Sequence, residues 1–288
     1  MRQKFSIAGP FGKLSGVINL CEVESKRCNV LVMAHGFRGS MEGSGRAAAL
    51  ADELGDSVCS VVRFNFSWCT MLSNQIAELK AVLDFVRETL KPERLFLLGR
   101  SFGGATCIVT ACGEESFATA VDAGILSGSE GEEVAADDAK ENSCDNSDKA
   151  GWWERKTYRP NGMVLWSAPN SLKKTFVQVL GEDAFQAALH GKTIVLDDER
   201  GRDEIPATFV ADLLQYDVAE LLKKWQQGPL LIIHGEKDTT VTPEQAKENF
   251  EISGGEKELH YMKGDNHHLD LCFQEANELV KNWLEKNI

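Results

Sequence analysis

Apolar positions along this chain repeat with two periods, and the switching between them outlines the fold. Two short alternating runs, around Lys4–Ala8 and Lys13–Leu20, flank a Gly-Pro-Phe-Gly turn and predict an N-terminal pair of strands. From Asn29 the pattern becomes strand then helix, repeatedly. Asn29–Ala34 (NVLVMA) predicts a buried strand, Arg46–Leu54 a helix and Val58–Phe66 a second strand. Asn74–Leu90 carries Ile76, Leu79, Leu83, Val86 and Leu90 at helical spacing, and Lys91-Pro92 ends it. Leu95–Leu98 predicts a third strand and Gly103–Ala111 a third helix. Further strands are expected at Met163–Trp166, Leu230–Ile233 and Leu259–Met262, with a closing helix at Asp270–Lys286. Strands alternating with helices imply parallel βαβ units. The expectation is an α/β fold, a mostly parallel central sheet flanked by helices, in a single domain spanning 1–288.

Two segments break the alternation. Residues 127–150 hold eight acidic side chains against two lysines, so a flexible acidic insertion is expected there. Residues 170–228 mix short helices with apolar Phe176, Val177, Phe185, Phe209, Leu213 and Trp225 and a charged run at Asp197–Glu204. A long excursion between late strands is expected to act as a cap or lid.

Charge narrows the function classes. With 31 basic and 44 acidic side chains the net charge is −13, and no Lys/Arg cluster appears, so no nucleic-acid partner is expected. No apolar run approaches the roughly 18 residues that a membrane helix requires, so no membrane span is expected. The start of the chain has no apolar stretch of signal-peptide length, which makes cytoplasmic the expected location. The 8 cysteines form no CxxC pair and are expected as reduced thiols. Gly43-Ser44-Gly45-Arg46-Ala47-Ala48 fits G-x-G-x-x-A, but it starts too far past its strand, and no acidic residue follows near Arg63–Asn65 to bind a ribose. No nicotinamide or other cofactor is expected. Asp265, His267, His268 and Asp270 are a weak metal pattern, and no metal is expected.

The strongest chemical signal is Gly99-Arg100-Ser101-Phe102-Gly103-Gly104, where strand Leu95–Leu98 meets the following helix. This is the context a G-x-S-x-G nucleophile elbow requires: a serine on a tight, strained turn needs neighbours without a Cβ. A serine hydroxyl is a weak nucleophile and needs a base oriented by a carboxylate. In this fold order the acid and then the histidine should each follow a later strand. His234-Gly235-Glu236-Lys237-Asp238 follows Leu230–Ile233, and Lys263-Gly264-Asp265-Asn266-His267-His268 follows Leu259–Met262. The candidate triad is therefore Ser101, Asp238 and His267, with Glu236 and His268 as alternatives at the second and third positions. His35-Gly36-Phe37-Arg38-Gly39 follows the strand Asn29–Ala34. Backbone N–H groups of Phe37 and Phe102 could form an oxyanion hole, while His35 itself is expected to be a structural hydrogen-bonder.

The set HGFRGS, GRSFGG, HGEKDTTVTP and KGDNHH, in this order on this strand pattern, resembles the α/β-hydrolase superfamily. Within it the chain is similar to small-lid serine esterases, a group that includes cinnamoyl-type esterases, monoacylglycerol-lipase-like enzymes and dienelactone-hydrolase relatives. The resemblance implies Ser101 as nucleophile, His267 as general base then acid, Asp238 as its orienter, and Phe37 and Phe102 as oxyanion donors. It implies hydrolysis of small-molecule carboxylic esters through an acyl-enzyme. A peptidase or thioesterase of the same fold, or a silent binding protein built on it, are the alternatives.

Overall fold

The N-terminal alternation folds into a hairpin. Strands β1 (Arg2–Gly9) and β2 (Gly12–Asn19) pair antiparallel, with Arg2 opposite Asn19 and Gly9 opposite Gly12. The computed structural model describes residues 1–68, 71–113, 158–198, 200–226 and 228–288. The acidic insertion expected at 127–150 lies outside the described residues. After the hairpin come β3 (Asn29–Ala34), α1 (Arg46–Ser57), β4 (Ser60–Phe64), α2 (Leu72–Thr89), β5 (Arg94–Arg100) and α3 (Phe102–Cys112). Strand β6 (Gly162–Trp166) is followed by the excursion: α4 (Leu172–Leu180), α5 (Glu182–Leu189), β7 (Ile194–Asp198), β8 (Gly201–Ile205), α6 (Thr208–Leu213) and α7 (Val218–Leu222). Strand β9 (Leu230–Gly235), α8 (Pro243–Ile252), β10 (Lys257–Met262) and α9 (Phe273–Asn287) complete the order.

The eight strands outside the excursion form one sheet in the order β1-β2-β4-β3-β5-β6-β9-β10. The β1/β2 and β2/β4 pairs are antiparallel; every other pair is parallel. Strands β4, β6 and β9 are buried at every position, the unbroken apolar runs expected of parallel strands covered on both faces. One face packs beneath α2, α3 and the excursion, through residues such as Val32, Leu79, Leu97, Ile108 and Phe209. The other packs beneath α1 and α9, through Leu31, Leu54, Phe96, Val280 and Trp283.

The strand order reverses between β3 and β5. From β3 the chain steps outward to β4, and from β5 it steps the other way to β6, β9 and β10. The loops leaving the carboxyl ends of β3 and β5 therefore diverge, opening the crevice where open α/β sheets bind their ligands. Gly36 and Ser101 lie on those two loops.

The sequence and the structure differ at several element boundaries and in one hairpin, and local hydrogen bonds account for two of the boundaries. Helix α1 runs on to Ser57 and β4 starts only at Ser60, because the N–H groups of Val58 and Cys59 both return to the carbonyl of Leu54. Helix α9 starts at Phe273 rather than Asp270, since the Asp265 carboxylate takes the N–H groups of Leu271 and Cys272 first. The charged run in the excursion is the β7–β8 hairpin, which periodicity did not reveal. Among the described residues, Cys21, Cys28, Cys59, Cys107, Cys112 and Cys272 are free thiols, and no helix is long and apolar enough to cross a membrane.

Candidate active site

Ser101 closes β5 and opens α3 with φ at 51°, a left-handed conformation that costs a side chain about 1–2 kcal/mol. Its surroundings impose that turn. A Cβ on Gly99 would stand 2.5 Å from the Gly103 carbonyl oxygen, so only glycine lets strand and helix approach this closely. The Ser101 N–H donates to the Trp166 carbonyl at 2.8 Å, and the Gly104 N–H returns to the Ser101 carbonyl at 2.8 Å. The hydroxyl is thereby held at the crevice.

From there the structure brings three of the candidates into one chain of hydrogen bonds. Ser101 Oγ lies 2.9 Å from His267 Nε2, and His267 Nδ1 lies 2.7 Å from Asp238 Oδ2. The imidazole is nearly covered and the Asp238 carboxylate is fully buried. The alternatives are held elsewhere. Glu236 Oε2 accepts from the Gly264 N–H at 2.7 Å, and His268 Nδ1 faces Arg100 Nη2 at 3.2 Å. The carboxylates of the weak metal pattern are also engaged, Asp265 with the loop N–H groups of Asn266, Leu271 and Cys272, and Asp270 with Arg46 at 2.8 Å.

Asp238 is held by more than its histidine. Its Oδ1 accepts the N–H groups of Thr240 and Val241, both at 2.9 Å, across the turn before α8. A second imidazole reaches the same Oδ2 that faces His267: His234 Nε2 is 3.2 Å away and also donates to the Val241 carbonyl at 2.7 Å. Burial, the largest influence, raises the Asp238 pKa, but hydrogen bonds from His234 and His267, the charge of His267 and the Val241 N–H outweigh it. The carboxyl is held far below the usual range and stays ionised. Sequence reasoning quoted His234 only as part of the HGEKD run. Its signal was a histidine ending a buried strand four residues before the acid.

Phe37 and Phe102, the oxyanion candidates, stand side by side with ring centroids 6.2 Å apart. Phe102 is the first residue of α3, so its N–H has no intrahelical acceptor. Gly36 precedes Phe37 and presses on the nucleophile: a Cβ there would lie 3.1 Å from Ser101 Cβ. His35 is structural, as expected, accepting from the Phe66 N–H at 3.0 Å and lying 2.9 Å from the Gly36 carbonyl through Nδ1.

The excursion reaches this loop in two ways. Phe176 and Phe209 pack on both oxyanion candidates, at centroid distances of 5.3 Å each to Phe37 and 5.1 and 6.0 Å to Phe102. Arg38, left-handed at φ 53° with its side chain only 2% exposed, pairs with Asp198 at 2.7 Å and Asp203 at 2.5 Å on the β7–β8 hairpin. Trp68 donates its indole N–H to Asp203 at 2.6 Å. Phe102 is core, Trp68 is largely exposed, and Trp166 lies among the residues beneath α1 and α9.

A serine on a strained strand-to-helix turn, at the switch point of a mostly parallel sheet, with a histidine and a buried carboxylate behind it, defines the α/β-hydrolase class. Residues 25–271 match the serine aminopeptidase S33 family, and the chain belongs to it. Solved structures share the fold at low identity. Est1E from Butyrivibrio proteoclasticus superposes with a TM-score of 0.70 at 17% identity, covering 99% of this chain and 98% of that one. The esterase domain of a Rhodothermus marinus protein gives 0.63 at 15% over 99% and 98%. The Xanthomonas campestris protein XC6422, described as an α/β serine hydrolase without a lid, gives 0.56 at 16% over 99% and 94%. Among curated proteins, none matches this chain by sequence.

Proposed function

We propose that this chain hydrolyses carboxylic esters of small molecules through an acyl-enzyme on Ser101. The observation that carries the proposal is the pair of hydrogen bonds, 2.9 and 2.7 Å long, running from Ser101 through His267 to Asp238. His267 Nε2 takes the hydroxyl proton as Ser101 Oγ bonds to the ester carbonyl carbon. The carbonyl oxygen becomes an oxyanion between the N–H groups of Phe37 and Phe102, whose preorganised donors are worth about 3–4 kcal/mol of barrier. His267 then gives its proton to the departing alcohol. Water, deprotonated by the same imidazole, releases the acid and restores the serine. Asp238 keeps the Nδ1 proton in place and balances the imidazolium, a task its persistent charge suits.

The family's description favours a second reading, cleavage at the N-terminus of a peptide. Such a substrate brings a free ammonium to the nucleophile. Cationic Arg100 precedes Ser101 in the chain and reaches His268, beside His267, which opposes that charge. The ferulic acid bound to the structurally similar Est1E, and the esterase domain of the Rhodothermus marinus protein, agree with the ester reading.

The deciding measurement is labelling with a fluorophosphonate probe followed by peptide mapping, alongside rates on 4-nitrophenyl esters and aminoacyl-4-nitroanilides. Modification is expected on Ser101, esters should be the better substrates, and Ser101→Ala should lower ester turnover by about 10³-fold or more. Undiminished turnover in that variant would sink the assignment.

A further inference from the structure

A second feature opens beside the nucleophile, on the face of the sheet opposite α3. It encloses about 650 Å³ of space, part of it open to solvent, with an apolar floor that includes Met33, Leu50, Leu98 and Phe273. Three arginines, Arg46, Arg63 and Arg100, line it, together with His268. In a chain of net charge −13 that concentration of cations is a local reversal.

The three cations are not equally satisfied. Arg46 pairs with Asp270 and Arg63 with Glu42, each at 2.8 Å. Among the described residues Arg100 is held by the His268 ring nitrogen at 3.2 Å and carbonyl at 3.3 Å alone, and no carboxylate lies within 4.0 Å of its guanidinium. Burial and then the charge of Arg46 push the Arg100 pKa down, although an arginine stays charged in any case. Arg63 and Trp166, two of the residues that line this space, each keep one buried nitrogen, Nε and Nε1, without a hydrogen-bond partner among the described residues. Arg63 is 2% exposed and Trp166 4%.

The pocket also shares walls with the candidate active site. Gly36, which lines it, is the residue whose Cβ would crowd Ser101. Arg100 is bonded to Ser101 in the chain, and the His268 ring centroid is 5.5 Å from that of His267. The residues that line this space, Gly36, Arg100 and His268 among them, adjoin Ser101 and His267, so it neighbours the loops that carry the nucleophile and its imidazole.

We propose that the pocket holds a carboxylate-bearing end of the substrate, so that the enzyme prefers esters in which an apolar body carries one negative charge. Arg100 supplies the charge-assisted hydrogen bonds and the apolar floor takes the body. The proposal deepens the ester-hydrolase reading and rests on it for the reaction, while binding at the pocket is measured independently.

The test compares 4-nitrophenyl butyrate with the mono-4-nitrophenyl ester of glutaric acid at low ionic strength. In the wild type kcat/KM should favour the charged ester by about tenfold or more, and Arg100→Gln should bring that ratio to about one. A wild-type ratio of one or less overturns the proposal, as does a preference that survives in the variant. A parallel arm titrates 4-phenylbutyrate and its amide against tryptophan fluorescence, with Trp166 as a reporter in the pocket wall. The carboxylate should bind at least tenfold more tightly than the amide, and equal binding overturns the proposal. That wild-type arm decides the matter if Arg100→Gln fails to fold. It also decides it if neither ester is turned over, an outcome that removes the ester reading and leaves the site standing or falling on carboxylate binding.

Discussion

Asp238 illustrates how much one side chain is asked to do. Its four acceptor contacts, two from its own turn and two from imidazoles, leave it ionised despite full burial. The sign of the pH effect follows. A carboxyl whose folded pKa is depressed stabilises the fold above its unfolded value, near 4, and loses that contribution only as the pH falls through the folded value. The stability difference between wild type and Asp238→Asn, measured by urea denaturation, should thus be flat from about pH 5 to 8 and shrink only below about pH 4.

His234 makes a sharper prediction at the same scale. Glutamine can place an amide N–H near the position of Nε2, whereas leucine cannot. His234→Leu should lower kcat by about tenfold, with His234→Gln recovering most of it. In the leucine variant the Asp238 carboxyl loses one of the hydrogen bonds that hold its pKa down. A role played through packing alone would not be recovered by glutamine. Ser101, His267 and Asp238 were legible in the sequence because each sits at a fixed place after a strand. His234 was not, since its role depends on a side chain turning back four residues to an acceptor.

At the scale of elements, the β7–β8 hairpin has a clear mechanical attachment. Its Asp198 and Asp203 pair with Arg38, next to the proposed oxyanion donor Phe37. Arg38→Met should loosen that loop, lowering kcat by about tenfold with a smaller change in KM, and should cost about 1–3 kcal/mol of stability as Asp203 keeps only its Trp68 donor among the described residues. Coupling to Asp203→Asn in a double-mutant cycle would identify the ion pair as the cause, and additivity would exclude it. The central strands and helices were readable because burial on two faces writes unbroken apolar runs, and one-sided burial writes helical spacing. The hairpin escaped because its alternation is carried by charged residues whose partner is distant in the chain, 160 residues away for Asp198.

Across the whole molecule, two apolar clusters are separated by one sheet. The excursion contributes Phe176 and Phe209 to the same cluster that includes Phe102 and α3. On the opposite face, Trp283 of α9 packs on Phe96 at 5.9 Å between centroids. Phe209→Ala and Trp283→Ala should each cost about 3–5 kcal/mol and should lower the midpoint of one shared unfolding transition. Separate transitions for the two variants would show that the excursion folds on its own. Strand order was inferable only as far as parallel crossovers go. The reversal between β3 and β5, which sets where a ligand can sit, emerges from pairing and not from periodicity.

The 166 positions between Ser101 and His267 have a consequence for biosynthesis. On the ribosome the serine emerges early, and the elbow that strains it can form once β5, α3 and β6 have met. Its imidazole arrives only after β9, α8 and β10 have been translated. Throughout that interval the nascent polypeptide carries a shaped but unarmed hydroxyl. On the proposed mechanism, acylation therefore waits until β10 and the loop that carries His267 have been translated.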